Sequence, residues 1–218
     1  MNISAFRWIA QRGILLSAAM ALCAGCLVQS LQPCCTSGTE TNLSIEGRWQ
    51  LVRDMGSVIA GDTNSVPRYW VLQGTMNNGT SGPPYQVAAV EANGPTSQLH
   101  AVFFVVSGRL YGDVAASATR AENHYWRANN LPLHTLGRVE LSNDVLRFQL
   151  LNRDWFQPIA TNKPGLPPWI NVGRKVIVTA PTAAWRTFLE TYGSDTNLFS
   201  THQVFEFRYT PQAWVPAP

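Results

Sequence analysis

Residues 182–209 read TAAWRTFLETYGSDTNLFSTHQVFEFRY and place one helix shortly before one strand. In the first part of this stretch, large apolar side chains recur at i, i+3, i+4 and i+7, at Trp185, Phe188, Leu189 and Tyr192. This spacing puts them on one helical face, which must pack against another element. Thr182 is the expected N-cap after Pro181, and Gly193 is the expected left-handed stop. The pattern predicts a helix over 182–192.

The second part of the stretch, Gln203–Tyr209, alternates apolar and polar side chains with the period of two that is typical of a strand. Other segments with strand-like composition precede it, and Leu99–Val106 among them is continuously apolar: Ile45–Arg53, Tyr69–Gln73, Tyr85–Glu91, Leu99–Val106, Leu110–Ala116, Leu133–Leu141, Val145–Leu151 and Lys175–Thr179. An open antiparallel sheet of this size would leave edges that need protection, and closure removes them. We therefore predict a mainly β protein: an antiparallel, closed or nearly closed barrel with one C-terminal helix before the last strand.

The N-terminus has the features of an export signal. No Asp or Glu occurs before Glu40, Arg7 and Arg12 supply positive charge, and Gly13–Ala24 is an uncharged apolar run of 12 residues. Such a run is too short to span about 30 Å of hydrocarbon as a helix, and its length suits a signal peptide. We expect residues 1–25 to be a signal peptide; the alternative interpretation is an N-terminal anchor that stays in place.

The end of this segment, Leu22-Cys23-Ala24-Gly25-Cys26, resembles the lipobox of bacterial lipoproteins. The resemblance implies cleavage before Cys26 and lipidation of its thiol, although Cys23 stands where Leu is usual. Several acyl chains on one residue hold a protein firmly on a membrane. Leu27, in place of the Asp of an inner-membrane retention signal, implies an outer-membrane lipoprotein that faces the periplasm.

Polar residues follow the lipidation site, and we expect 26–44 to be a flexible tether, 45–212 a single β-domain and 213–218 a C-terminal tail. Cys34 and Cys35 form an adjacent pair, and no Cys occurs later in the chain. A disulfide between neighbours is strained, so the pair is open to several interpretations: a reducible bridge, a cross-link between two copies, a soft-metal site, or two thiols in a tether. The chain has no Cys-x-x-Cys and no Cys/His spacing typical of zinc.

The layout resembles the lipocalin/calycin pattern. Gly47-x-Trp49 lies on the first predicted strand of the domain, hairpins follow, and helix 182–192 precedes strand 203–209. In that family a Gly-x-Trp strand opens an eight-stranded barrel, and a helix packs outside it before a final strand. The resemblance implies that an Arg stacks on Trp49, and Arg208 has the matching position. The chain departs from the family in lacking a Thr-Asp-Tyr motif and in its Pro-rich segment Phe156–Val172.

No motif in the sequence indicates an enzyme. Hydrolase, metalloprotease, P-loop and dinucleotide-binding motifs are all missing from it. His134 and Glu140 share a face of one predicted strand, but their separation is roughly 20 Å. Asp54 and Asp62 flank a loop, where acids are usually solvated. We therefore predict a protein that is not an enzyme and has no metal or cofactor.

The charge balance argues against nucleic acid as a partner. Without Arg7 and Arg12, the 16 basic residues fall to 14, against 13 acidic residues. A chain so close to neutral provides no electrostatic attraction for a phosphate backbone. The partners we expect are a membrane, reached through Cys26, and either a hydrophobic small molecule or an envelope protein.

Aromatic side chains supply the candidate ligand site. Eight Trp occur in the chain, and seven remain after residue 25. Trp49 and Trp185 have core positions, whereas the predicted ligand-binding residues lie at strand ends or in loops: Trp70, Trp126, Trp155 and Trp169. We predict a membrane-tethered envelope lipoprotein that binds a hydrophobic or amphipathic small molecule. The alternative is an interaction or structural lipoprotein that uses these aromatics against a protein partner; an envelope enzyme is the third hypothesis.

Overall fold

The computed structural model describes residues 27–35, 43–55, 57–58, 68–75, 85–91, 96–117, 133–156 and 164–211. The strands in this part of the chain are β1 (Val28–Ser30), β2 (Gly47–Asp54), β3 (Ser57–Val58), β4 (Arg68–Gly74), β5 (Tyr85–Glu91), β6 (Thr96–Val106), β7 (Arg109–Ala116), β8 (His134–Ser142), β9 (Val145–Leu151), β10 (Trp169–Val172), β11 (Lys175–Val178) and β12 (Phe199–Thr210). The helices are α1 (Arg153–Phe156) and α2 (Thr182–Tyr192).

Eight of these strands close into a barrel. Hydrogen-bonded neighbours follow the order β8-β7-β6-β5-β4-β2-β12-β9, and the pairing of β8 with β9 completes the ring. Every pair in the ring is antiparallel. The predicted fold, a mainly β antiparallel barrel with a helix before the last strand, is confirmed, and the barrel is compatible with a lipocalin-like fold.

A small flank sheet made of β1, β11 and β10 extends the barrel wall from β8. β9 pairs with β8 only from Gly137 onward. β1 pairs with the beginning of β8, where Ser30 is opposite His134, the first residue of β8. β1 runs parallel to β11, and β10 is antiparallel to β11. The flank sheet therefore begins where the barrel seam between β8 and β9 opens.

The wall separates two apolar clusters. Alternating residues of one strand point to different sides, so that Phe103 belongs to the inner cluster and Phe104 to the outer cluster. The inner cluster lies inside the barrel and includes Trp49, Tyr85 and Phe207. The outer cluster lies between the wall, the flank sheet and the helices, and includes side chains of α1 and α2. Trp185, Phe188 and Leu189 of α2 are buried there, as the stripe predicted.

The expected N-cap of α2 is wrong, and Gly193 is the C-cap as expected but lacks the predicted left-handed conformation. Pro181 is the N-cap residue and has no side-chain acceptor to make a cap, while the Thr182 hydroxyl donates to the carbonyl of Pro33 at 2.6 Å. Gly193 is right-handed, with φ of −61°, and its N–H donates to the carbonyl of Leu189. A Cβ at residue 193 would collide with the Tyr111 hydroxyl, so close approach explains this glycine.

The resemblance placed Arg208 on Trp49, and this expectation is also wrong. Arg208 is exposed and its guanidinium lies 3.9 Å from the carboxylate of Asp144. The ring that meets Trp49 belongs to Tyr209, edge-on at a centroid distance of 5.3 Å. Alternation along β12 explains the difference, since neighbouring residues of a strand point to opposite faces.

Candidate anchor site and barrel interior

Large side chains pack against one another inside the barrel over the described strands. Phe148 lies across the inner wall against Gly112 and Gly137, where an added Cβ would come within 2.9 and 2.6 Å of its ring. Tyr85 and Phe103 meet edge-on at 5.3 Å. The buried members of the inner cluster are each at most 8% exposed. These residues offer almost no surface to a ligand, whereas other members of the cluster, among them Trp70 and Leu99, are only partly buried.

The four predicted ligand-binding Trp do not form one site. Trp70 points into the barrel, half-buried, with its ring 4.6 Å from Phe207. Trp155 and Trp169 lie in the outer cluster on the other side of the wall, both edge-on to Phe156. Trp126 lies outside the described residues. Their role in ligand binding stays a prediction, and it concerns two places: the barrel interior for Trp70 and the outer cluster for Trp155 and Trp169.

Residues 27–35, which we expected to belong to a flexible tether, are packed against the barrel. Leu27 is fully buried in the inner cluster, and Val28 is buried in the outer one. The carbonyl of Leu27 accepts from the N–H of Val176, and the N–H of Leu31 donates to the carbonyl of Val178, both at 3.0 Å. The tether prediction is wrong for this segment, because its apolar residues complete the flank sheet; residues 36–42 lie outside the described part.

A polar clasp, formed by Asp113 and His134 of the barrel and Cys34 of the N-terminal segment, fastens this segment to the wall. The Asp113 side chain is 2% exposed and accepts the Cys34 N–H at 2.8 Å. His134 Nδ1 lies 3.0 and 3.1 Å from the two carboxylate oxygens. A buried carboxylate is costly unless hydrogen bonds satisfy it, and these contacts do so.

Further hydrogen bonds join the same segment to α2. The Trp185 indole donates to the Ser30 hydroxyl at 3.1 Å, and Thr182 donates to the carbonyl of Pro33. The segment is thus held from both sides, by the barrel wall and by the helix. Sequence reasoning missed this arrangement, although an Asp within the apolar strand Leu110–Ala116 is an unusual feature that marks a paired, buried carboxylate.

The thiols beside the clasp are not bridged. Neither Cys34 nor Cys35 forms a disulfide. Burial, assisted by the nearby charge of Asp113, raises the pKa of the Cys34 thiol well above its ordinary value of 9.0. A thiol with such a pKa stays protonated at neutral pH and is a poor nucleophile. Among the residues described, no three His, Cys, Asp or Glu side chains are grouped as metal ligands.

The other pairs considered in the sequence have different partners. His134 lies against Asp113, whereas Glu140 lies 3.7 Å from Arg138. Asp54 forms an ion pair with Arg68 at 2.7 Å. Asp62 lies outside the described residues, so a pairing with Asp54 stays untested.

The β10–β11 hairpin is the most exposed apolar feature near the N-terminal segment. Ile170 and Val172 are 51% and 54% exposed, the largest fractions among the exposed large hydrophobic residues of the described chain. Every residue from 170 to 174 is exposed, and Gly173 makes the turn with φ of +60°. Arg174 and Lys175 place two cations at the same tip.

Over the residues described, the helices are too short or too polar to cross a membrane. Comparison with family models, curated proteins and solved structures gave no match.

Proposed function

We propose that this chain is an acylated lipoprotein of the bacterial envelope, held through Cys26 in the outer membrane on its periplasmic side. Its barrel has no enzymatic role and binds an envelope protein. The lipobox-like sequence before Cys26 supports the anchor. The burial of most of the inner cluster is the observation that carries the interaction role, because it favours recognition at the outer surface.

The burial of Leu27 gives the anchor a mechanical role. A lipid on Cys26 would be attached one peptide bond from a residue that has no exposed surface. The clasp and the flank sheet then hold the whole barrel close to the lipid, because residue 27 is already packed against the barrel and no free segment lies between it and Cys26. This arrangement supports a body that is seated on the membrane rather than suspended from it.

A fatty-acid label tests the anchor. Cells that express the chain are fed an alkyne-bearing fatty acid, and the label on the protein is compared among wild type, Cys26→Ala and Cys35→Ala. We expect label on wild type and on Cys35→Ala, and none on Cys26→Ala. Label that persists in Cys26→Ala would refute acylation at this residue.

Cross-linking in intact cells tests the interaction role. We expect a discrete adduct between the barrel and one envelope protein, reproduced when the cross-linker is varied. Recovery of the chain without any stable adduct, from cells in which it is abundant, would contradict the interaction role and leave the anchor unaffected.

A hydrophobic small molecule is a second candidate, favoured by one observation. Trp70 and Leu99 are half-buried apolar residues packed against the inner cluster. Such residues are suited to contact an acyl or aromatic group. Native mass spectrometry of the chain purified from membranes distinguishes the two functions: an added mass that is lost in Trp70→Ala supports a ligand, and a spectrum of the acylated chain alone supports the interaction role.

A further inference from the structure

The β10–β11 hairpin lies beside the residue that follows the anchor. β1 and β11 are parallel, with Val28 opposite Val176, so the start of β1 and the start of β11 lie side by side. Val172 is in turn opposite Lys175 on the far side of β11. Strands are spaced by about 4.8 Å, which places Val172 about 10 Å from the N-terminal end of β1. The peptide bond to Leu27 ties residue 26 to that same end.

The surface of this hairpin has the composition of a membrane contact. Ile170 and Val172 share one face of β10, since they are two residues apart, and each is about half exposed. Arg174 lies in the turn and Lys175 directly follows it, so that two cations border the apolar face and attract anionic lipid. An apolar face with cations at its border is typical of elements that lie at a bilayer surface.

We propose that the tip of this hairpin, residues 170–175, is a second membrane contact, which binds the boundary between headgroups and acyl chains beside the lipid on Cys26. The proposal rests on the acylation of Cys26 proposed above. The acyl chains on Cys26 hold the protein on the membrane at one point, and an apolar or cationic contact beside that point adds a second. With two points of contact, the barrel keeps one orientation on the membrane.

An environment-sensitive fluorophore on the hairpin tests this contact. The full chain, purified from membranes with the Cys35→Ser change, carries Val172→Cys labelled with NBD, and the matched control carries Gln73→Cys. Gln73 is exposed on β4, which is opposite β8 in the eight-stranded ring. Both proteins are reconstituted into phosphatidylcholine vesicles with and without phosphatidylglycerol, and nitroxide-bearing lipids serve as quenchers.

We expect NBD at residue 172 to emit at shorter wavelength in vesicles and to be quenched by the nitroxide lipids, and NBD at residue 73 to stay in a water-like state. Removing one cation with Arg174→Gln lowers the ratio of docked to undocked hairpin about fivefold in vesicles that contain phosphatidylglycerol. The same substitution has little effect in vesicles of phosphatidylcholine alone, because they carry no net surface charge.

The possible failures are distinguishable. A chain that does not float with vesicles overturns the acylation and this inference together. A chain that floats while NBD at residue 172 behaves like NBD at residue 73 overturns the hairpin contact alone. A shift that occurs only in native envelope vesicles, and never in protein-free lipid vesicles, assigns the hairpin to a protein partner and also overturns the membrane contact.

Discussion

The substitution Leu27→Ala tests whether the folded body begins immediately after the proposed anchor. Leu27 has no exposed surface and packs within the inner cluster, although it lies at the beginning of the described chain. Replacing a buried Leu by Ala costs about 2–5 kcal/mol, and the cost is smaller where neighbours can close on the space. Because the segment enters from one end, we expect a loss of about 2–3 kcal/mol in the free energy of unfolding.

The detergent-purified chain is unfolded by urea and, separately, by heat, and tryptophan fluorescence follows both transitions. For a domain of this size, each kcal/mol lowers the melting temperature by about 2–4 °C, so Leu27→Ala melts about 4–12 °C below wild type. Gln32→Ala is the matched control, because Gln32 is exposed in the same segment and its substitution changes stability by no more than about 0.5 kcal/mol. Equal unfolding midpoints for Leu27→Ala and Gln32→Ala would refute the docking of this segment.

Gly137→Ala forces a Cβ into the ring of Phe148 and destabilises the barrel by about 1–3 kcal/mol. In urea unfolding, the double variant with Phe148→Leu loses less stability than the two single variants together, and a loss equal to their sum would contradict the packing. Asp113→Ala removes the acceptor of the Cys34 N–H and costs about 1.5–3 kcal/mol; DTNB, a thiol reagent, then modifies Cys34 faster than in wild type, and an unchanged rate would contradict the clasp. Above pH 9.0 the unfolded Cys34 loses its proton while the folded thiol, whose pKa is raised by burial, keeps it. Stability therefore falls by up to about 1.4 kcal/mol per pH unit, and a slope in urea titrations that is unchanged in Cys34→Ala would contradict this cause.

Periodicity sufficed to predict the barrel because its strands bury one or both faces. Gln203–Tyr209 and Val145–Leu151 alternate, and both are strands of the closed ring. The helix over 182–192 has the predicted bounds, since its stripe of aromatic residues faces the outer cluster. The partners of its two ends, Pro33 and Tyr111, were not predictable, because they are distant in sequence.

The N-terminal segment escaped prediction for a related reason. Residues 27–35 are short and contain Pro and adjacent Cys, so no period can be read from them, and their burial depends on β11 and on Asp113 far along the chain. The flank strand Trp169–Val172 lies within the Pro-rich segment and has only four residues, which is too short for a period of two to be recognised. Local sequence therefore predicts the barrel strands. The positions of residues 27–35 and of Trp169–Val172 depend on contacts with distant parts of the chain.

The identity of the mature N-terminus tests the central claim most directly. The protein is extracted from membranes, digested, and its first peptide is measured by mass spectrometry. Our account predicts a peptide that begins at Cys26 and carries the mass of a diacylglyceryl group, with or without an amide-linked acyl chain, followed directly by Leu27. A mature chain that begins at another residue, with residue 26 removed or present as an unmodified thiol, would contradict it.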